Sequence, residues 1–428
     1  MSSPDNARRA YVRVKFEGAD ITKDISPYLI SATYTDNEED KADDLQLQLQ
    51  DRESVWQEKW LNEAIEAAVS PGQGEDREGQ ARPQGKRAGV WDSGGETVSL
   101  TGPLLMPDIQ QGGNLSRYVW SGENRIQDAA GAAAEEAQEE KRQVSTGLTV
   151  EAEIVLENWR GGGVDIVLPC GKFELDSVAP SGPPAVILLK CTSLPYKTQL
   201  RQTKKSRAWE RYTLSGIAGK IAGLYGMTLM YESGLDPFYT RVEQIKTSDI
   251  QFLETLCHNA GLALKITGNT IVLFDQADYE ARAAVYTIRR SGGAYTKYKL
   301  GAGTADVQYA SCRVSYTGPD GRCVSAVAWA EDYDAKARNN QQLEITAKTD
   351  SPDQARTLAE KILRRHNRYA KTASFTLPGG YSLVAGVTVR LECWGGWDGK
   401  YIVTQAKHTV DGSGYTVDVN LRKVLEGY

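Results

Sequence analysis

The chain has 428 residues, 40% hydrophobic and 25% charged, with a formal net charge of −6. Those proportions fit an ordinary folded protein with room for about two to four domains. The mild acidity argues against a nucleic-acid surface as the main business of the chain and excludes an acidic disordered protein. Met1 to Arg9 is polar and lacks an apolar core, so export through a signal peptide is not expected. No run approaches the roughly eighteen apolar residues of a membrane span. The cysteines at 170, 191, 257, 312, 323 and 393 never fall as Cys-x-x-Cys, so neither a zinc nor a redox motif is present and reduced, cytosol-made thiols are expected.

The chain opens as β-structure. Val12, Val14 and Phe16 alternate with Tyr11, Arg13 and Lys15, and a turn follows at Glu17 to Asp20. Leu45, Leu47 and Leu49 alternate with Gln46, Gln48 and Gln50, the period-two signature of a half-buried antiparallel strand. The character changes over 62–147. Ser70 to Gly95 is rich in Gly, Pro, Gln and charge, which predicts a mobile loop. Ile126 to Gln143 is rich in Ala and Glu and predicts a helix with an apolar face too small to stand without a partner. This segment reads as an insertion in a first β-domain, whose strands resume at Leu148.

The next stretch is used twice. Ile154-Val-Leu156-Glu157-Asn-Trp159, then Gly171-Lys172-Phe173, then the strand Val186 to Lys190, is echoed later in the chain. There Val389-Arg-Leu391-Glu392-Cys-Trp394 precedes Gly399-Lys400-Tyr401 and the strand Tyr415 to Leu421. Two copies at this separation predict two β-domains of one type in tandem. Between them, Ile217, Ile221 and Leu224 line a helix, and Ser248-x-x-Gln251 caps a second helix that ends at Gly261. A hairpin turns at Gly268-Asn269. After Val285, a hairpin at Gly318 to Gly321 places Cys312 opposite the neighbourhood of Val327, so Cys312 and Cys323 should not bond. Ser351-Pro352-Asp353-Gln354 then starts a helix with Ala355, Leu358, Ala359, Ile362 and Leu363 on its buried face. The fold class is β-rich α+β, divided as 1–61 and 148–200, the insertion 62–147, a small α/β domain 201–284, and a second β-domain 285–428.

No catalytic set assembles. His258, His366 and His408 lie far apart and in no metal or triad motif, so structural roles are expected, with no catalytic residue, cofactor or metal. Glu38-Glu39-Asp40 and Asp43-Asp44 read as solvated turns, because a pair of catalytic carboxylates must face each other across a cleft. Gly301-x-Gly303 opens no helix, and Gly219-x-x-x-Gly223 carries Lys220 in a helix too short to span a membrane. The basic runs Arg201 to Arg207 and Lys361 to Arg368 read as solvated faces, with contact to an acidic partner ring as the functional alternative. On that alternative the candidate interface residues are Arg201, Lys204, Lys205, Arg364, Arg365 and Trp397, while Trp394 reads as a core anchor.

Several stretches carry a resemblance. They are Tyr34-Thr35-Asp36 with Lys41 to Leu45 and Asp51-Arg52; Leu168 to Glu174 followed by Ser181-Gly182-Pro183-Pro184; Lys204 to Glu210; Arg241 to Gln244; and Leu421 to Tyr428. Together they resemble the phage late control D family, the baseplate hub proteins of contractile tails, in the branch found in phages and defective prophages of Gram-positive bacteria. Ser248-Asp249-x-x-Phe252-Leu253 with Ala260-Gly261 is similar to the hub segment of type VI secretion spike proteins. The likeness covers nearly all of the chain except 62–147.

The resemblance implies two tail-tube-like antiparallel β-barrels joined by the small α/β domain. It also implies a homotrimeric ring that adapts a hexameric tail tube to a trimeric central spike. Other baseplate proteins, with a tape measure protein as a further candidate, would be its neighbours in a virion tail assembled in the host cytoplasm. Neither nucleic-acid binding nor membrane insertion is implied, and neither is enzymatic activity. Two further readings stay open: the same part in a bacteriocin-like or extracellular injection particle, and a tail-associated cell-wall hydrolase, which requires an appended catalytic domain. A carbohydrate-binding β-protein would need aromatic platforms, for which only Trp394 and Trp397 offer themselves.

Overall fold

The computed structural model describes residues 7–39, 41–52, 97–99, 148–160, 164–193, 200, 203–267, 269–303, 309–317, 321–330, 340–347, 349 and 351–425. The expected insertion, with its loop and Ala/Glu-rich helix, lies outside them apart from 97–99.

Among the described residues, period-two stretches become strands of a fourteen-stranded, predominantly antiparallel sheet. Its first half holds β1 (Arg9–Phe16), β2 (Ala19–Asp20), β3 (Leu29–Asn37), β4 (Asp44–Gln50), β5 (Thr97–Ser99), β6 (Thr149–Glu157), β7 (Asp165–Ser181) and β8 (Val186–Thr192), with a short helix α1 (Thr22–Ile25) before β3. Leu45, Leu47 and Leu49 of β4 are buried while the glutamines between them face outward, as alternation requires.

The middle of the chain carries β9 (Lys205–Thr213), α2 (Leu214–Leu224), β10 (Thr228–Glu232), β11 (Phe238–Thr247), α3 (Asp249–Ala260), β12 (Ala263–Thr267), β13 (Thr270–Phe274) and α4 (Gln276–Ala281). Here β9 and β11 form a separate ribbon, and β10, β13 and β12 a small sheet. Helices α2 and α3 bury Ile217, Ile221, Phe252, Leu253 and Leu256 in a core of their own. The start and stop signals act as read: Ser248 Oγ accepts from the Gln251 N–H at 3.3 Å, and Gly261 closes α3 at φ 69°.

The last third holds β14 (Tyr286–Arg289), β15 (Lys297–Ala302), β16 (Ser311–Thr317), β17 (Cys323–Trp329), β18 (Gln342–Thr346), α5 (Pro352–Asn367), β19 (Lys371–Pro378), β20 (Thr388–Glu392), β21 (Gly399–Asp411) and β22 (Gly414–Lys423). Strands β16, β17 and β18 stay out of the large sheet. They form a three-stranded sheet that packs on Ala355, Ala359 and Leu363 of α5. Cys312 pairs with Ala328 and Cys323 with Thr317, and both thiols are free.

The repeat is visible in detail. Within the large sheet one copy runs β1-β6-β7-β8-β4-β3 and the other β14-β20-β21-β22-β19-β15. The β7–β8 ladder slips between Leu175 and Ser177; the β21–β22 ladder slips at the same place in its copy, between Val403 and Gln405. Asn158 and Cys393, the variable residue of each Leu-Glu-x-Trp, both sit at positive φ (52° and 66°). One difference is that β1 runs antiparallel to its neighbour, whereas β14 runs parallel.

The two copies are hydrogen-bonded to each other. After the bulge, β21 pairs along Gln405 to Asp411 with β3, antiparallel, so the sheet continues from one copy into the next. A single apolar cluster runs beneath both. Trp159 of the first copy lies edge-on to Tyr415 of the second at 5.7 Å.

The left-handed corners make a direct check possible. Asn158→Val and Cys393→Val should each cost about 1–2 kcal/mol, since a β-branched residue resists positive φ. Cys393→Gly should leave thermal stability equal or higher. Equal melting temperatures for the valine and glycine variants would show that these corners carry no strain.

Candidate functional site

Strand β3 ends in acid, Asp36, then Glu38 and Glu39, and a short turn brings back Asp43 at the start of β4. Their placement corrects the expectation of solvated turns: Asp36, Glu38 and Asp43 are all at most 1% exposed. Bare carboxylates cannot be buried at this depth, because the desolvation penalty is several kcal/mol each. Cations from distant parts of the chain are brought to them instead.

Lys265 of β12 is the first. Its ammonium, fully buried, bonds Asp36 and lies 3.4 Å from Asp43 Oδ1. The backbone N–H groups of Ala385 and Asn37 donate to Asp36 Oδ2 at 2.8 Å and Asp43 Oδ1 at 2.9 Å. Ser193 Oγ accepts from the Asp43 N–H at 2.9 Å and donates to the Ile266 carbonyl at 3.3 Å. One ammonium against two carboxylates leaves an excess negative charge. Burial therefore pushes Asp43 up to about 7, with Lys265 opposing and Asp36 adding to the rise.

The second cluster is balanced. Arg422 of β22, 1% exposed, reaches Glu38 at 2.9 Å and Glu280 of α4 at 2.5 Å. Arg364 of α5 also bonds Glu280. Arg368, just past α5, lies 2.5 Å from Glu39 and donates to Gln276 at 2.8 Å. Gln276 Nε2 in turn donates to Glu38 at 3.2 Å. Burial opposes the charge on Arg422, but Glu38 and Glu280 more than offset it and its pKa is raised. The two clusters tie together the large sheet, the α2–α3 unit and α5, elements drawn from the whole length of the chain.

A third latch holds the β9–β11 ribbon. Asp249, buried in the first turn of α3, accepts from Arg207 at 2.5 Å, Tyr225 at 2.7 Å and Gln244 at 2.8 Å, with Lys205 Nζ at 3.3 Å. These hydrogen bonds outweigh burial, and the Asp249 carboxyl is held below its ordinary range.

The basic runs therefore serve mainly inside the chain, for a physical reason their spacing hid: each faces a buried acid from a remote segment. Of the candidate interface residues, Lys204 is exposed. Lys205 and Arg364 join the internal networks, and Arg365 Nη2 lies 2.7 Å from His258 Nε2. Trp397 is half-buried, its Nε1 donating to the Gly301 carbonyl at 3.3 Å. Arg201 lies outside the described residues. Trp394 is buried among Tyr295, Tyr298 and Phe375. His408, fully buried, stacks between Tyr34 and Tyr415, and burial lowers its pKa to about 3.

The three latches join strands and helices that are far apart in the sequence. Residues 195–414 match the family described as phage tail baseplate hub (GPD), over half of the chain, and the chain belongs to that family. The fold is shared along almost its whole length with two solved tail-protein structures. The 43 kDa tail protein of prophage MuSo2 from Shewanella oneidensis has a TM-score of 0.58 at 11% identity, covering 97% of this chain and 98% of that one. The tail protein from Neisseria meningitidis MC58 has a TM-score of 0.58 at 10% identity, covering 97% of each. The E. coli c3393 protein, a type VI secretion system component, has a TM-score of 0.46 at 9% identity, covering 97% of this chain and 78% of that one. No curated protein matches the sequence. Among the described residues, no helix is long and apolar enough to cross a membrane.

The ionic junction yields two predictions. Lys265→Met strands two buried carboxylates and should cost about 3–5 kcal/mol in a denaturant melt. Asp43→Asn tests the raised pKa. A carboxyl whose folded pKa lies above its unfolded value of about 4 stabilises the fold fully in acid, and that stability is lost as pH rises through about 7. The variant should therefore gain on the parent by roughly 1 kcal/mol per pH unit between about pH 4 and 7. A constant difference across that range would place Asp43 ionised throughout.

Proposed function

We propose that three copies of this chain form the ring at the centre of a contractile phage tail baseplate. Its six sheet copies would match the hexameric tail tube on one side, and its threefold symmetry the trimeric spike on the other. The observation that carries this reading is the duplicated strand order, with the bulge at the same place in both copies, inside one continuous sheet. Two like units in each of three chains give six like positions, so one chain can satisfy both symmetries.

On this reading each repeat is one of the two tube-like barrels of the chain, and the α/β segment between them faces the spike. The work is assembly and transmission of contraction, without covalent chemistry, in a virion tail assembled in the host cytoplasm. Large closed-ring interfaces rest on area and shape and need no local motif. Lys204 is assigned to the rim of the contact with an acidic tube or spike surface, where charge steers association more than it adds affinity.

Native mass spectrometry of the full chain, alone and with its tube and spike proteins, should find a three-chain species, alone or on addition of a partner. A monomer that ignores both partners would contradict the ring. Lys204→Glu should slow association with the tube or spike severalfold and leave the fold unchanged; an unaltered rate would remove Lys204 from the interface.

A further inference from the structure

The joint between the two copies inside one chain is β3 on β21, and its two halves each have a counterpart elsewhere in the same molecule. Matching the ladders places β15 where β3 stands in its copy: Tyr34 is opposite Leu45, and Leu300 is opposite Ala373 in the equivalent rung. The segment of β21 that receives β3, Gln405 to Asp411, corresponds by the shared bulge to β7 from Ser177 onward. Among the described residues, no strand pairs with the outer edge of β15 or with that last part of β7 on the side away from β8. Both are exposed or half-exposed. The molecule thus carries one filled joint and the two separate halves of a second.

We infer that β15 of one chain adds, antiparallel, to the end of β7 in a second copy of this chain, in the register that β3 takes on β21. This inference rests on the proposed ring and specifies which edges close it. In that register Ala302 meets Val178 and Leu300 meets Pro180 at hydrogen-bonding positions. Lys299 and Ser181 become a non-hydrogen-bonded pair. Within one chain β15 and β7 lie at the two ends of eight consecutive strands and do not pair with each other.

The second joint is not a perfect copy. The Glu38 N–H bonds the Thr404 carbonyl at 2.9 Å, which sets the alternation so that the His408 N–H faces Tyr34. Pro180 stands at the position of His408 and has no N–H. Its nitrogen faces the open edge, where a proline is tolerated until another strand arrives. The joint between chains is therefore weaker than the joint within a chain by one hydrogen bond, and the edges are guarded against pairing before partners are present.

Cysteine trapping tests the register. The full chain carrying Lys299→Cys and Ser181→Cys, in a Cys323→Ser, Cys393→Ser background, is oxidised alone and with its tube and spike proteins. Non-hydrogen-bonded cross-strand positions have the separation a disulfide needs. Covalent dimers and trimers that collapse on reduction are expected, with none from either single variant and far fewer when Ala179→Cys replaces Ser181→Cys. A three-chain species in light scattering without such links would overturn the joint while leaving the ring. A monomer under both conditions would overturn the ring and the joint together. Pro180→Val should restore the missing donor and tighten association about fivefold per joint; unchanged or weaker association would remove the guarding role from Pro180.

Discussion

Everything in this molecule hangs on one strand. β3 pairs on one side with β4 of its own copy and on the other with β21 of the second, so it makes two repeats into one sheet. Asp36 near its end, and Glu38 and Glu39 just beyond it, collect Lys265, Arg422 and Arg368 respectively. A hydrogen-bonded ladder fixes the angle between the copies, and the ionic clusters fix the smaller units against that frame. Buried ion pairs are weak evidence for net stability, but they are intolerant of misplacement, since a lost partner leaves a charge without compensation. In the proposed ring, which would present repeated surfaces at constant spacing, that intolerance would be useful.

Duplication also explains where the copies differ. The first copy takes its long insertion between β4 and β6, and the second takes β16, β17, β18 and α5 between β15 and β19. Both excursions leave the four strands nearest the β3–β21 joint in each copy uninterrupted as neighbours: β3, β4, β8 and β7 in one, β15, β19, β22 and β21 in the other. Extra structure has been added away from the ladder that the proposed ring would have to match.

Much of this was legible in the sequence. The Leu-Glu-x-Trp and Gly-Lys-aromatic echoes mark strands that do occupy equivalent places, and the capped helices α3 and α5 begin at Ser248 and Ser351 as their capping residues imply. What stayed hidden is non-local. Alternation in β3 shows which face is buried but not that its free edge finds β21, hundreds of residues later. Glu38 and Glu39 look like a solvated turn because their partners, Arg422 and Arg368, are equally distant. The hairpin of β16 and β17 is plain from its turn, yet its exclusion from the large sheet follows from packing on α5. The one usable hint was the position of Asp36 and Asp43 inside the stretch that carried the family resemblance.

The measurement that tests the central claim most directly is electron microscopy of the assembled ring viewed down its axis. If two like repeats per chain present six like surfaces, the rotational power spectrum of the tube-facing layer should peak at sixfold, with threefold symmetry appearing only in the spike-facing layer. A tube-facing layer with threefold power alone would mean that the repeats do not occupy equivalent positions, and would contradict the account.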